Sequence, residues 1–157
     1  MENMSQKTNK RQGFTLIEIL VVIGIIAILA TIVIIAINPA RQFAQARNTQ
    51  RVSNVNAILN AIDQNIADNK GVFTCDAAPY PLADTTTTIA VSSTNANIYN
   101  CIVPTYMPSM VCDPKFGSNC DDNNKYNTDY QLVAATSGRV TISAQDAEIQ
   151  SPISVTR

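Results

Sequence analysis

The chain has 157 residues, 11 Lys and Arg against 12 Asp and Glu, and neither His nor Trp. A near-neutral balance gives no bulk attraction to nucleic acid. Without His there is no Ser-His-Asp or Cys-His catalytic site and no His-ligated metal, which leaves enzymatic readings with little to stand on.

Charge is unevenly spread. The first 13 residues hold Lys7, Lys10 and Arg11 against Glu2, a net of +2, while the remainder carries 8 basic and 11 acidic residues. From Phe14 to Ile37 the sequence is apolar apart from Thr15, Glu18, Gly24 and Thr31. A hydrocarbon core needs about 20 helical residues, so this 24-residue run is long enough to span one. It also exceeds the roughly 7–15 residue apolar core of a removable secretory signal. The β-branched content would suit a buried strand if the run were shorter; its length predicts a membrane helix. Arg41, Arg47 and Arg51 follow the span closely, so basic residues flank it on both sides and charge alone does not orient it.

Glu18 is the anomaly. A carboxylate near a bilayer centre costs about 2.5–3.5 kcal/mol on insertion scales, and such residues usually carry function. The plain alternative is that Glu18, four residues into the run, reaches the interface or is protonated. Its surroundings favour function: a basic leader ends in Gly13, and Phe14, Thr15, Leu16, Ile17 and Glu18 open a long apolar helix. This arrangement resembles the class III signal of type IV pilins and type II secretion pseudopilins. Gln12 departs from the Lys or Arg that often precedes the glycine in that family; Lys10 and Arg11 stand nearby.

The resemblance implies cleavage by a prepilin peptidase after Gly13 on the cytoplasmic face and N-methylation of the new terminus at Phe14. It also implies helical assembly in which the Glu18 carboxylate of one subunit meets the Phe14 amine of the next. Desolvation offsets much of that attraction, but an unpaired Glu in lipid is costly, so the pair selects the register of neighbours. Glu18 is then an assembly residue and no catalytic residue is expected.

Beyond the span, Asn38-Pro39 predicts a bend in a helix that continues to about residue 70, since Pro removes a backbone donor and crowds the preceding turn. Val55, Ile58, Leu59, Ile62 and Ile66 recur at helical spacing on one face. Asn69-Lys70-Gly71 supplies a stop, with Gly71 as the expected cap. After Gly71 the composition turns to Thr, Ser, Asn and Asp, with six of the seven prolines from Pro79 onward. TTTTIAVSSTNANIYN, residues 85–100, reads as a polar loop with one short strand or helical turn, and residues 103–115 as an irregular connection. Residues 129–136 and 139–145, joined by Ser137-Gly138, read as a β-hairpin, and the terminal ISVTR as a further strand. A hairpin needs another layer, which the long helix provides. The expected fold is therefore α+β: a long N-terminal helix, half membrane and half amphipathic, packed against a small antiparallel sheet in the pilin manner. Tyr106, Pro108, Asp113 and Pro114 extend the resemblance more loosely as a Tyr-x-Pro-x-x-x-x-Asp-Pro run.

This divides the chain into a basic leader (1–13), a transmembrane and assembly helix (14–37), an amphipathic continuation (38–70) and a head (71–157). Cys75, Cys101, Cys112 and Cys120 all follow the span, as expected of an oxidising compartment, which places the head outside the cytoplasm. Of three possible pairings, the sequence-local Cys75–Cys101 and Cys112–Cys120 are expected. Zinc is the alternative, but spacings of 26, 11 and 8 lack a Cys-x-x-Cys hook. Asp113, Asp121, Asp122 and Asp129 offer hard oxygen ligands, and some pseudopilins carry a calcium-binding loop near the terminal sheet. The plain alternative is a solvated Asp/Asn-rich turn without EF-hand spacing, and Lys125 opposes a cation there.

Two functional readings result. The first is a structural subunit of a pilus or pseudopilus, with itself, the peptidase, membrane lipid and an assembly platform with a separate ATPase as partners. No GxxxxGK[ST] loop is present to supply that ATPase activity. The second is a single-pass anchored binding module that never polymerises.

Overall fold

The computed structural model describes residues 13–76, 78–80, 82, 89–135, 137–150 and 152–157. The basic leader up to Gln12, Thr85–Thr88 of the polar segment and Thr136 of the hairpin lie outside them. The chain divides into two compact units, up to Pro39 and from Ala40.

In the first unit, α1 runs Leu16–Ile37. Thr15 is its N-cap, in an extended conformation (φ −81°, ψ 153°). None of its residues is buried, and its apolar side chains stand exposed on every side. A helix apolar all round needs an apolar surrounding. At 22 residues it is long and apolar enough to cross a membrane. Thr31 returns its hydroxyl to the Ala27 carbonyl at 2.9 Å, so that polar group is satisfied within the helix. The helix ends at Asn38, which turns left-handed (φ 46°). Pro39 disfavours helical backbone in the residue before it, and its missing N–H suits the first position of a new helix. The expected bend is thus a one-residue interruption, and α2 begins at Pro39.

α2 runs Pro39–Asp68, in the second unit from Ala40 onward. It stops where Lys70 adopts φ 58° and the Gly71 amide reaches back to the Ile66 carbonyl at 2.8 Å. That six-residue closure is a Schellman ending. The left-handed position falls on Lys70 ahead of Gly71, whose own φ is 90°.

The head contains a two-stranded ribbon, β1 (Thr74–Cys75) with β2 (Ala78–Pro79). A short helix, α3, spans Tyr99–Ile102. The main sheet is an antiparallel meander of β3 (Ile89–Ser92), β4 (Asn127–Ala134), β5 (Val140–Ala144) and β6 (Ile153–Thr156), in that order. The hairpin register runs from Tyr130 opposite Ala144 to Ala134 opposite Val140. Its turn closes through the Gly138 amide to Ala135 and the Ala135 amide to Arg139, with Gly138 at φ 81° as a left-handed turn position requires. Along β4, Thr128, Tyr130, Leu132 and Ala134 are buried and alternate with half-buried neighbours. Between β3 and β4 the register slips: Ala90 faces Gln131, but Ser92 faces Asn127. Two extra residues of β4 are accommodated in this bulge, and Asp129 sits there at φ 62°.

Val55, Ile58, Leu59 and Ile62 of α2 are fully buried, with Ile66 packed at the margin. They share a core with Val91, Ile98, Ile102, Tyr126, Tyr130, Leu132 and Ile142. Each such side chain contributes about 1.5–3 kcal/mol on burial, and the helix supplies the layer the sheet needs.

Candidate functional site

Gly13 and Phe14 precede the first helical turn, and Phe14 is 85% exposed. A Cβ built on Gly13 meets nothing within 4 Å, so no contact within the described residues demands glycine there. Thr15 and Glu18 form a reciprocal capping box. The Glu18 amide donates to the Thr15 hydroxyl at 3.3 Å, while Glu18 Oε2 accepts from both the Thr15 amide and the Thr15 hydroxyl at 2.8 Å. The sequence made Glu18 conspicuous as an acid in an apolar run. The spacing Thr-x-x-Glu also reads as a capping box, a signal overlooked in treating the acid by itself.

The cysteines are joined as Cys75–Cys101 and Cys112–Cys120. The first links β1 to α3, with Cα atoms 4.5 Å apart. The second closes an eight-residue separation around Asp113 and Gly117, with Cα atoms 6.1 Å apart. All four sulfurs are thereby committed.

The four aspartates do not converge. No group of three or more His, Cys, Asp or Glu is placed to hold a metal among the described residues. Asp122 Oδ1 accepts the Asn124 amide at 2.9 Å, and the Asp121 carbonyl accepts the Tyr99 hydroxyl at 3.5 Å. Asp129 leaves Oδ2 buried and without a hydrogen-bond partner. Burial, followed by the nearby Asp146 and Asp113 carboxylates, pushes its carboxyl above the ordinary range.

Asp113 belongs to a different constellation. Arg51, fully buried, holds it through Nε–Oδ2 at 2.6 Å and Nη2–Oδ1 at 3.1 Å. Asp113 Oδ1 also takes the Lys115 and Phe116 amides at 2.8 and 3.1 Å. Burial works to raise the Asp113 carboxyl, yet the Arg51 hydrogen bonds and the two amides together hold it below the ordinary value. Glu148, from the β5–β6 connection, accepts from Arg47 at 2.6 and 2.9 Å, from Arg51 at 3.3 Å and from Lys115 at 3.2 Å. The Arg47 hydrogen bonds lead in lowering its carboxyl to about 2. Beside this network, Asn54 donates to the Cys112 carbonyl at 2.7 Å and to the Tyr130 hydroxyl at 2.9 Å. Arg47 and Arg51 thus find their acids within their own chain.

The family model described as the prokaryotic N-terminal methylation motif matches residues 8–34. The chain carries that motif. It is the class III signal of type IV pilins and pseudopilins, and it spans the basic leader's end, Gly13, Phe14, Glu18 and most of α1. No curated protein and no solved structure matches the chain. The motif characterises a pilin-type precursor, and the apolar α1 fits membrane anchoring.

Proposed function

We propose that this protein is a structural subunit of a type IV pilus or a type II secretion-like pseudopilus. The observation that carries the reading is the methylation motif at residues 8–34 running into an apolar helix whose one acid is Glu18. A prepilin peptidase removes residues 1–13 at the cytoplasmic face and methylates Phe14. The apolar helix, residues 14–37, keeps the product in the membrane and later forms the filament core. Residues 38–70 continue it as the amphipathic layer under the head, and residues 71–157 form a head outside the cytoplasm. Two disulfides support an oxidising location for that head. Assembly pairs Glu18 with the Phe14 amine of a neighbour, and an external platform with its own ATPase does the work. The subunit itself performs no catalysis.

The test is the N-terminal sequence and intact mass of the membrane form from its native cell. The expected product begins at Phe14 and is heavier by one methyl group. A chain retaining Met1 through Gly13 would make the helix a plain anchor and the head a membrane-tethered binding module.

A further inference from the structure

After Ile37, five large apolar residues stand exposed among the described residues: Phe43, Val52, Val72, Phe116 and Ile149. Four of them gather about the Arg47–Glu148 contact. Phe43 precedes Arg47 by one turn of α2. Phe116 lies under Lys115, whose Nζ is 4.9 Å from the ring centre and 3.2 Å from Glu148. Ile149 follows Glu148 and lines a groove with Arg41 and Val52. Val72 stands apart, past the other end of α2. Apolar residues exposed singly are ordinary, whereas gathered ones mark a surface that meets something. The charge here leans positive. Arg51 and Asp113 neutralise one another in the core, while Arg47 and Lys115 share Glu148. Both cations are more exposed than that acid, 34% and 48% against 19%. Asp146 is the nearby acid outside the network, beside Asp129. The chain after Ile37 as a whole carries 8 basic and 10 acidic residues, so this end differs in sign from the rest.

We infer that this end of the head is a lipid-docking surface. Phe43, Phe116 and Ile149 enter the headgroup zone of the bilayer that holds α1, and Arg47 and Lys115 meet anionic headgroups there. The inference rests on α1 as a membrane anchor and not on polymerisation. Phe43 follows Ile37 by six residues and Arg47 by ten. A span ending at Ile37 therefore tethers this surface within about 35 Å of lipid, even with the chain fully extended. At that effective concentration a weak affinity is enough. The residue types suit the boundary: aromatic rings settle at headgroup level, and a long cation lays its stem on apolar surface while its charge stays wet. A second copy using the same patch would oppose Arg47 and Lys115 to their own equivalents, because a two-fold contact pairs each surface with itself. Anionic lipid meets the apolar and the basic groups together.

The chain has no Trp, so a single introduced Trp reports on its own surroundings. The full chain is reconstituted at high dilution into vesicles of phosphatidylcholine and phosphatidylglycerol, brominated near the ester ends of their acyl chains. Emission from Phe116→Trp and Ile149→Trp should shift to the blue and be quenched about twofold, as for an indole at headgroup level. Val72→Trp, at a site as exposed as Phe116, should show neither change. Docking is overturned if Phe116→Trp and Ile149→Trp behave as Val72→Trp does. It is overturned equally by a blue shift that bromine does not quench and that grows with the protein-to-lipid ratio, since a second copy would then cover the face. Equal quenching in phosphatidylcholine alone would remove the role given to Arg47 and Lys115. Ile35→Trp, near the end of α1, separates the two readings. Quenching there but not at Phe116→Trp defeats docking alone, whereas quenching at neither defeats the membrane anchor and docking with it.

Discussion

The two long helices, α1 and α2, treat charge in opposite ways. In α1 every residue is exposed and the one acid is satisfied by its own cap. In α2 a fully buried arginine is gripped by a carboxylate 62 residues away in sequence. A charge partnered inside the chain is part of the fold, and removing its partner strands it away from water. A charge held ready at an exposed apolar surface contributes little to the fold and gains its meaning from other molecules. This difference predicts which substitutions unfold the head and which leave it intact but unable to assemble.

The largest effect on stability is expected at Arg51. Arg51→Ala leaves Asp113, whose side chain is 1% exposed, as a buried charge without its cation, held only by the Lys115 and Phe116 amides. Breaking one side of such a pair costs about 3–5 kcal/mol. Thermal unfolding of the detergent-solubilised chain should show a large drop, with Arg51→Ala/Asp113→Asn partly restored. If Arg51→Ala melts like the parent, the contrast between the helices collapses.

Gly117 offers the next largest. A Cβ there would lie 2.5 Å from the Cys112 Cβ and 2.8–2.9 Å from the Asp113 backbone. Those neighbours belong to the disulfide loop that positions the Arg51 partner, and backbone cannot swing aside as a flexible side chain can. Gly117→Ala should cost about 1–3 kcal/mol by overpacking. Unchanged stability would show that the loop yields and the Arg51–Asp113 geometry tolerates it.

A pH titration sharpens the comparison further. Asp113 and Glu148 have folded-state values below their unfolded ones, Glu148 at about 2. They contribute stability above the ordinary carboxylate range that is lost as pH falls through the folded values. Asp129 runs the other way: raised chiefly by burial, its contribution is present below its unfolded value and lost as pH rises through the folded one. Asp129→Asn should therefore raise the melting temperature by a small amount at neutral pH, with the gain disappearing in acid. A loss at pH 7 would mean that the Asp129 charge supports the bulge.

Much of this was legible in the sequence because the relevant signals are local. The long apolar run delimits α1, and the Val55, Ile58, Leu59, Ile62 spacing identifies the buried face of α2. The alternation in β4 and the Ser-Gly turn reveal the hairpin, although β4 begins two residues earlier than expected, at Asn127. What escaped depends on distant partners. Arg51, Asn54 and Asn65 lie on the buried face at helical spacing from Val55, Ile58 and Ile62, yet polar residues read as solvent-facing until their acceptors are known. Of those acceptors, Asp113 and Cys112 come from the segment that reads as an irregular connection, and Thr74 and Cys101 from stretches assigned to no element. The left-handed Asp129 escaped for a related reason: the bulge exists only in the register with β3, and no glycine announces it.

The smallest effect on the fold should come from the residue that the proposed filament function depends on most. Glu18→Ala removes the charge and the acceptor of a first-turn cap in a helix with no buried residue, so the head's melting temperature should be unchanged within error. The loss is confined to the cap at residues 15–18. The protein should be cleaved after Gly13 and retained in the membrane by the rest of α1, while filaments fail to form. Circular dichroism melts and sheared-filament yields from one preparation check both halves. A destabilised head would show that Glu18 acts inside the fold as Arg51 does. Normal filaments would show that the acid is only the closing half of a cap, and the register of neighbouring subunits would have to come from the apolar surface of α1 alone.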